Sequence, residues 1–103
     1  MRMMLKASIP VDKGNAAIRD GSIVKKIQSI LADLKPEAAY FTEFDGKRTG
    51  LIFFDMKDTS EIPAVAEPWF LAFDASVEIK AVMNGDDLAR SQAGMEKAVK
   101  SFG

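Results

Sequence analysis

The chain reads as one α+β domain whose elements run β-α-β-β-α-β and end in a further helix. Three observations predict this. Apolar residues alternate with polar ones over the first ten residues and again over 75–84, the period of a strand. Apolar residues recur at helical spacing over 23–34 and 62–73. Between those helices two strand-like runs flank Asp45-Gly46, a pair suited to a two-residue hairpin turn.

Met3, Leu5, Ala7 and Ile9 share one face of the first strand, and Arg2, Met4, Lys6 and Ser8 share the other. Pro10 ends it, having no N–H for the ladder. A helix is predicted from about Asn15 to Leu34, its stripe formed by Ile23, Ile27, Ile30, Leu31 and Leu34. Gly21 weakens it by about 1 kcal/mol relative to alanine, so its first turns can stand apart. Pro36 closes the segment.

A type I′ turn at Asp45-Gly46 sets Phe44 opposite Lys47, Glu43 opposite Arg48 and Thr42 opposite Thr49. Glu43 and Arg48 then form a cross-strand charge pair of modest stabilising value. Asp58-Thr59-Ser60 supplies helix caps, and Ile62, Val65, Ala66, Trp69, Phe70 and Phe73 form the next stripe. Pro63 suits a first turn; Pro68 predicts a kink or break near Glu67-Pro68. In the last strand Val77, Ile79, Ala81 and Met83 alternate with Ser76, Glu78, Lys80 and Val82. Gly85 predicts a turn and Asp86 or Asp87 the cap of a terminal helix, with Leu88, Met95, Val99 and Phe102 as its buried stripe.

A strand–helix–strand crossover predicts that the first and third strands are adjacent and parallel. The element order points to a ferredoxin-like four-stranded antiparallel sheet with helices on one face. The other face then matters. Leu51, Phe53, Ile52 and Phe54 make the third strand apolar on both sides, and Ala38, Ala39, Tyr40 and Phe41 do the same for the second. Leaving one side in water forgoes roughly 1.5–3 kcal/mol per large side chain. A homodimer packed sheet against sheet answers this; the alternative is a terminal helix folded under the sheet.

KPEAAYFTEFDGKRTGLIFFD, IPAVAEPWFLAF and ASVEIKAVM carry a resemblance to the dimeric α+β barrel superfamily, and within it to an uncharacterised bacterial family. The resemblance covers essentially the whole chain and implies a single dimeric α+β barrel domain over 1–103. Superfamily members include lactone isomerases, cofactor-free monooxygenases and haem-handling enzymes, so fold does not set activity. Similar sequences sometimes carry a pantothenate synthetase label. Pantothenate synthetases are nucleotide-binding α/β enzymes with histidine-containing motifs, and this chain has no histidine.

Composition narrows the chemistry. Of 103 residues, 48% are hydrophobic and 28% charged, and the formal net charge is −1 with no Lys/Arg cluster, which argues against nucleic acid as a partner. With neither cysteine nor histidine, thiolate nucleophiles, disulfides and the commonest transition-metal ligands are excluded. No Gly-rich nucleotide loop or calcium loop is present, and no cofactor is expected. No apolar leader or long apolar stretch occurs, and a cytoplasmic location away from membranes is the expectation.

The polar face of the first and last strands places Lys6, Ser8, Glu78 and Lys80 toward a dimer cavity, with Lys6 and Glu78 as a pair. Which hairpin face looks inward stays open: Tyr40 and Thr42 would offer hydroxyls, Glu43 and Arg48 a charged clamp able to hold a carboxylate. Trp69 is a core residue or a pocket wall beside Pro68. The ligand-pocket candidates are therefore Lys6, Tyr40, Thr42, Arg48, Trp69 and Glu78. The expected function is a homodimer that binds a small apolar or carboxylic ligand on the open sheet face. Alternatives are a cofactor-independent isomerase or monooxygenase of a small cyclic or aromatic substrate, or an assembly module without a ligand.

Overall fold

The computed structural model describes residues 1–103. Strand β1 (Arg2–Ile9) leads at Pro10 into α1 (Val11–Arg19), and α2 (Ile23–Leu34) follows. The segment predicted over 15–34 is two helices, parted at the weak point expected at Gly21, and the first begins earlier, at Val11. Gly21, at φ +77°, makes the break, and Lys35 ends α2 in the left-handed conformation before Pro36. Strands β2 (Ala38–Phe44) and β3 (Lys47–Asp55) form the hairpin. Asp45 and Gly46 have φ of 54° and 76°, as a type I′ turn requires, and the register is the predicted one. A short 3₁₀ turn (Thr59–Glu61) opens α3 (Ile62–Phe73), followed by β4 (Ser76–Ala81), α4 (Gly85–Arg90) and α5 (Gln92–Phe102).

The sheet order is β2-β3-β1-β4, and every neighbouring pair is antiparallel. The adjacency of β1 and β3 was predicted; a parallel pairing was not the outcome. The crossover joins β1 to β2, and the tight hairpin then reverses β3 into the space between them, which makes it antiparallel to both.

Helix α3 runs as one helix through Pro68, so of the predicted kink or break the break does not occur. A proline inside a helix costs about 3 kcal/mol. Around it Val65, Ala66, Trp69 and Phe73 are all buried, each large side chain contributing roughly 1.5–3 kcal/mol, which outweighs one missing hydrogen bond. Leu5, Ile52, Phe54 and Trp69 are almost wholly buried between sheet and helices, and the Trp69 and Phe73 rings lie 6.3 Å apart.

The terminal helices differ most from expectation. Asn84, rather than Asp86 or Asp87, caps α4: its Oδ1 accepts the Asp87 N–H at 2.8 Å, while Asp87 Oδ2 accepts the Asn84 N–H at 3.0 Å. Gly85 is the first residue of α4. The predicted buried stripe is uncovered, with Phe102 92% and Val99 67% exposed. Helix α5 makes no substantial contact with the sheet or with α1–α3. Residues 85–102, which hold α4, Ser91 and α5, would reach about 27 Å as one rod. The radius of gyration is 17.0 Å and the longest dimension 58 Å, where a compact chain of this length has a radius of about 13 Å. The helical pair is an arm, and it does not shelter the sheet.

Candidate functional site

Register assigns every strand residue to a face. On the face away from α1–α3 three rows cross the sheet from β2 to β4. They are Ala38–Phe53–Met4–Lys80, Tyr40–Leu51–Lys6–Glu78 and Thr42–Thr49–Ser8–Ser76. This resolves the orientation of the hairpin: Tyr40 and Thr42 lie on the open face, Glu43 and Arg48 on the helix side.

The middle row carries the predicted ion pair. Lys6 Nζ lies 3.7 Å from Glu78 Oε2 and 4.4 Å from the centre of the Phe44 ring. Its side chain keeps only 25% of its surface in solvent, so the ammonium is held by a carboxylate and an aromatic face together. A pair this exposed on the Glu78 side contributes about 1 kcal/mol or less to stability. Its value is positional, because it fixes a cation on an otherwise apolar surface.

The adjoining row is four hydroxyls in line. Ser8 and Thr49 come within 3.4 Å, and Thr49, 3% exposed, donates to the Lys47 carbonyl at 3.0 Å. Thr49 and Ser76 were not among the sequence candidates. The Asp45-Gly46 turn already set Thr49 opposite Thr42; Ser76 needed the pairing of β1 with β4. Beside these rows Tyr40 is 64% exposed and Phe44 38% exposed, with Leu51 and Phe53 half-buried and no helix of the chain above them. The surface therefore offers an apolar floor, a held cation and the hydroxyls of Thr42, Ser8 and Ser76, with Thr49 buried beneath them and its proton already given to the Lys47 carbonyl.

Arg48 and Trp69 lie elsewhere, on the helix side. The predicted Glu43–Arg48 pair is not made: Glu43 Oε2 accepts the Gly46 N–H at 3.0 Å, and Arg48 Nη2 donates to Asn15 Oδ1 at 3.1 Å. The tight turn offers Glu43 a nearer donor, and α1 brings Asn15 to the guanidinium. Arg48 and Trp69 both line an open cavity of about 340 Å³ between α2 and the hairpin.

Four carboxyls, three of them exposed and Asp87 half-buried, are held below the ordinary range. The Asn84 N–H, then Arg90 and Arg2, lower Asp87. The Ser60 N–H lowers Asp58, hydrogen bonds from Ser22 lower Asp20, and the N-terminal ammonium lowers Asp55. All serve caps, turns or the strand end. No group of three or more acidic side chains is arranged to hold a metal ion, and no helix is long and apolar enough to cross a membrane.

No family model matches the chain, and no curated protein matches it. Among solved structures it is similar to a formyltetrahydrofolate deformylase from Pseudomonas putida KT2440, with a TM-score of 0.51 and 16% sequence identity. The likeness covers 80% of this chain and 29% of the deformylase chain, so this chain spans under a third of that protein. At that identity it speaks to fold alone. Strand order, antiparallel register and this likeness together identify the architecture as a ferredoxin-like α+β fold.

Proposed function

We propose that the protein is a homodimeric binding module of the dimeric α+β barrel type, whose two open sheet faces pack together around a small apolar or carboxylic ligand. The observation that carries this reading is the uncovered face of Met4, Tyr40, Phe44, Leu51 and Phe53, above which the chain places no element of its own. Closing two such faces removes apolar surface from water at roughly 25 cal/mol per Å². It also encloses the Lys6–Glu78 pair and the Thr42–Thr49–Ser8–Ser76 row. In that enclosure Lys6 would meet a ligand carboxylate, the hydroxyls would orient its polar atoms, and Tyr40 and Phe53 would contact its apolar part.

Sedimentation velocity at micromolar concentration tests the pairing. A dimer is expected, and the double variant Leu51→Asp/Phe53→Asp should sediment as a folded monomer. A wild-type monomer at that concentration would overturn the reading. Ligand binding is tested by a thermal-shift panel of aromatic and aliphatic carboxylic acids on the dimer, with Lys6→Met as the control that should lose the response.

The bare stripe of Leu88, Met95, Val99 and Phe102 favours a second reading, an assembly module in which α5 contacts another copy. A sealed, ligand-free sheet interface together with assembly that depends on Val99 and Phe102 would favour it over the first.

A further inference from the structure

The helix side of the sheet holds a cavity that shares Thr42 and Thr49 with the open-face reading but whose charged and apolar walls that reading does not use. Arg48 is half-buried, and no carboxylate lies within ion-pair distance of it; its one side-chain partner is the neutral Asn15. Its cross-strand neighbour Glu43 is occupied at the turn. Room for the guanidinium comes from α1, because a Cβ at Gly14 would sit 2.6 Å from Arg48 Nη1. A half-buried cation without a counter-charge is costly, and a guanidinium fork matches a carboxylate in two parallel hydrogen bonds.

Arg48 forms part of the wall of the 340 Å³ cavity, whose other walls include Ile9, Ile23, Ile27, Phe41 and Trp69. That volume lies at the small end of the range for ligand sites. Gly50 shapes the wall, since a Cβ there would come within 3.2 Å of the Phe41 ring. Trp69 is 1% exposed, and its indole Nε1–H is buried with no acceptor, a second donor left unmatched in the same region.

We propose that this cavity binds a small carboxylate with an apolar tail, such as a medium-chain acyl or single-ring aryl acid. The carboxylate pairs with Arg48, and the tail lies among Ile9, Ile23, Ile27 and Phe41 against Trp69. The site is on the opposite side of the sheet from the proposed dimer face and stands whether or not that face pairs.

The chain has one tryptophan and one tyrosine, and they report on opposite faces: Trp69 on this cavity, Tyr40 on the open sheet. The test is titration of the full-length, ¹⁵N-labelled protein with octanoate and with 3-phenylpropanoate. A saturable shift of the Trp69 indole N–H resonance is expected, with the Tyr40 ring protons, on the opposite face, unmoved. Octanol, which has the tail without the charge, should bind roughly tenfold or more weakly, and Arg48→Gln should lose about as much for octanoate. The octanol comparison needs no variant and so stands even if Arg48→Gln folds poorly. Absence of a Trp69 shift at millimolar ligand, equal binding of octanol and octanoate, or shifts confined to Tyr40 and its sheet neighbours would each overturn the proposal.

Discussion

Gly14→Ala isolates the contact between α1 and Arg48. In an ordinary helix interior the substitution stabilises by about 1 kcal/mol, through helix propensity and reduced freedom of the unfolded chain. Here the new methyl would sit 2.6 Å from Arg48 Nη1 and 3.2 Å from its Cδ, closer than atoms pack. The long side chain can swing away, at the loss of its 3.1 Å bond to Asn15. A hydrogen bond from a charged group is worth about 1.5–3 kcal/mol, less at this partly exposed position. The two effects nearly cancel, and Gly14→Ala alone should change stability by under about 1 kcal/mol, in the destabilising direction. In an Arg48→Ala background the obstruction is gone, and the same substitution should stabilise by about 1 kcal/mol. Urea unfolding of the four proteins at one fixed concentration measures the cycle. If Gly14→Ala stabilises equally in both backgrounds, Arg48 does not rest on α1, and the account of its placement fails.

Leu5→Ala, at a wholly buried position, should cost about 2–5 kcal/mol in urea unfolding, while Val99→Ala should cost under about 0.5 kcal/mol in dilute protein; comparable losses would mean that α5 is packed after all. Gly46→Ala should cost about 1–2 kcal/mol from backbone strain alone, because φ is +76° and nothing lies within 4 Å of the added methyl. Acid should act through the caps. Asp58 and Asp87 titrate lower in the folded chain than in the unfolded one, so the stability they contribute is complete above the unfolded value near pH 4 and is lost as pH falls through their depressed folded values. Asp58→Asn keeps a capping side chain but cannot titrate, and should make the acid limb of the stability curve shallower; an unchanged limb would refute the cap as its source.

The hairpin was legible to the residue. Asp-Gly between strand-like runs selects a turn with two positive φ angles, and that turn fixes which residues stand opposite. Its facing was not legible, because Leu51 and Phe53 on one side are as apolar as Ile52 and Phe54 on the other. Docking of α1 and α2 decided it, helped by Gly50, which accommodates Phe41, and by Gly14, which accommodates Arg48. Of the six candidate residues, Lys6 and Glu78 meet as predicted, and Tyr40 and Thr42 share their face. Arg48 and Trp69 belong to a different cavity, and no spacing along the chain joins them.

The sequence by itself determined what nearest neighbours along the chain control: the alternation of β1 and β4, the break at Gly21, the turn at Asp45-Gly46 and the stripes of α2 and α3. Steric limits on φ and the two side-chain periods act over a few residues, so they can be read directly. Tertiary structure alone decided that α3 continues as one helix through Pro68 and that the stripe on α5 stands free. The physical reason is that a helical period tells which side of a segment is apolar, whereas burial depends on a second surface brought up from far along the chain, or from another copy.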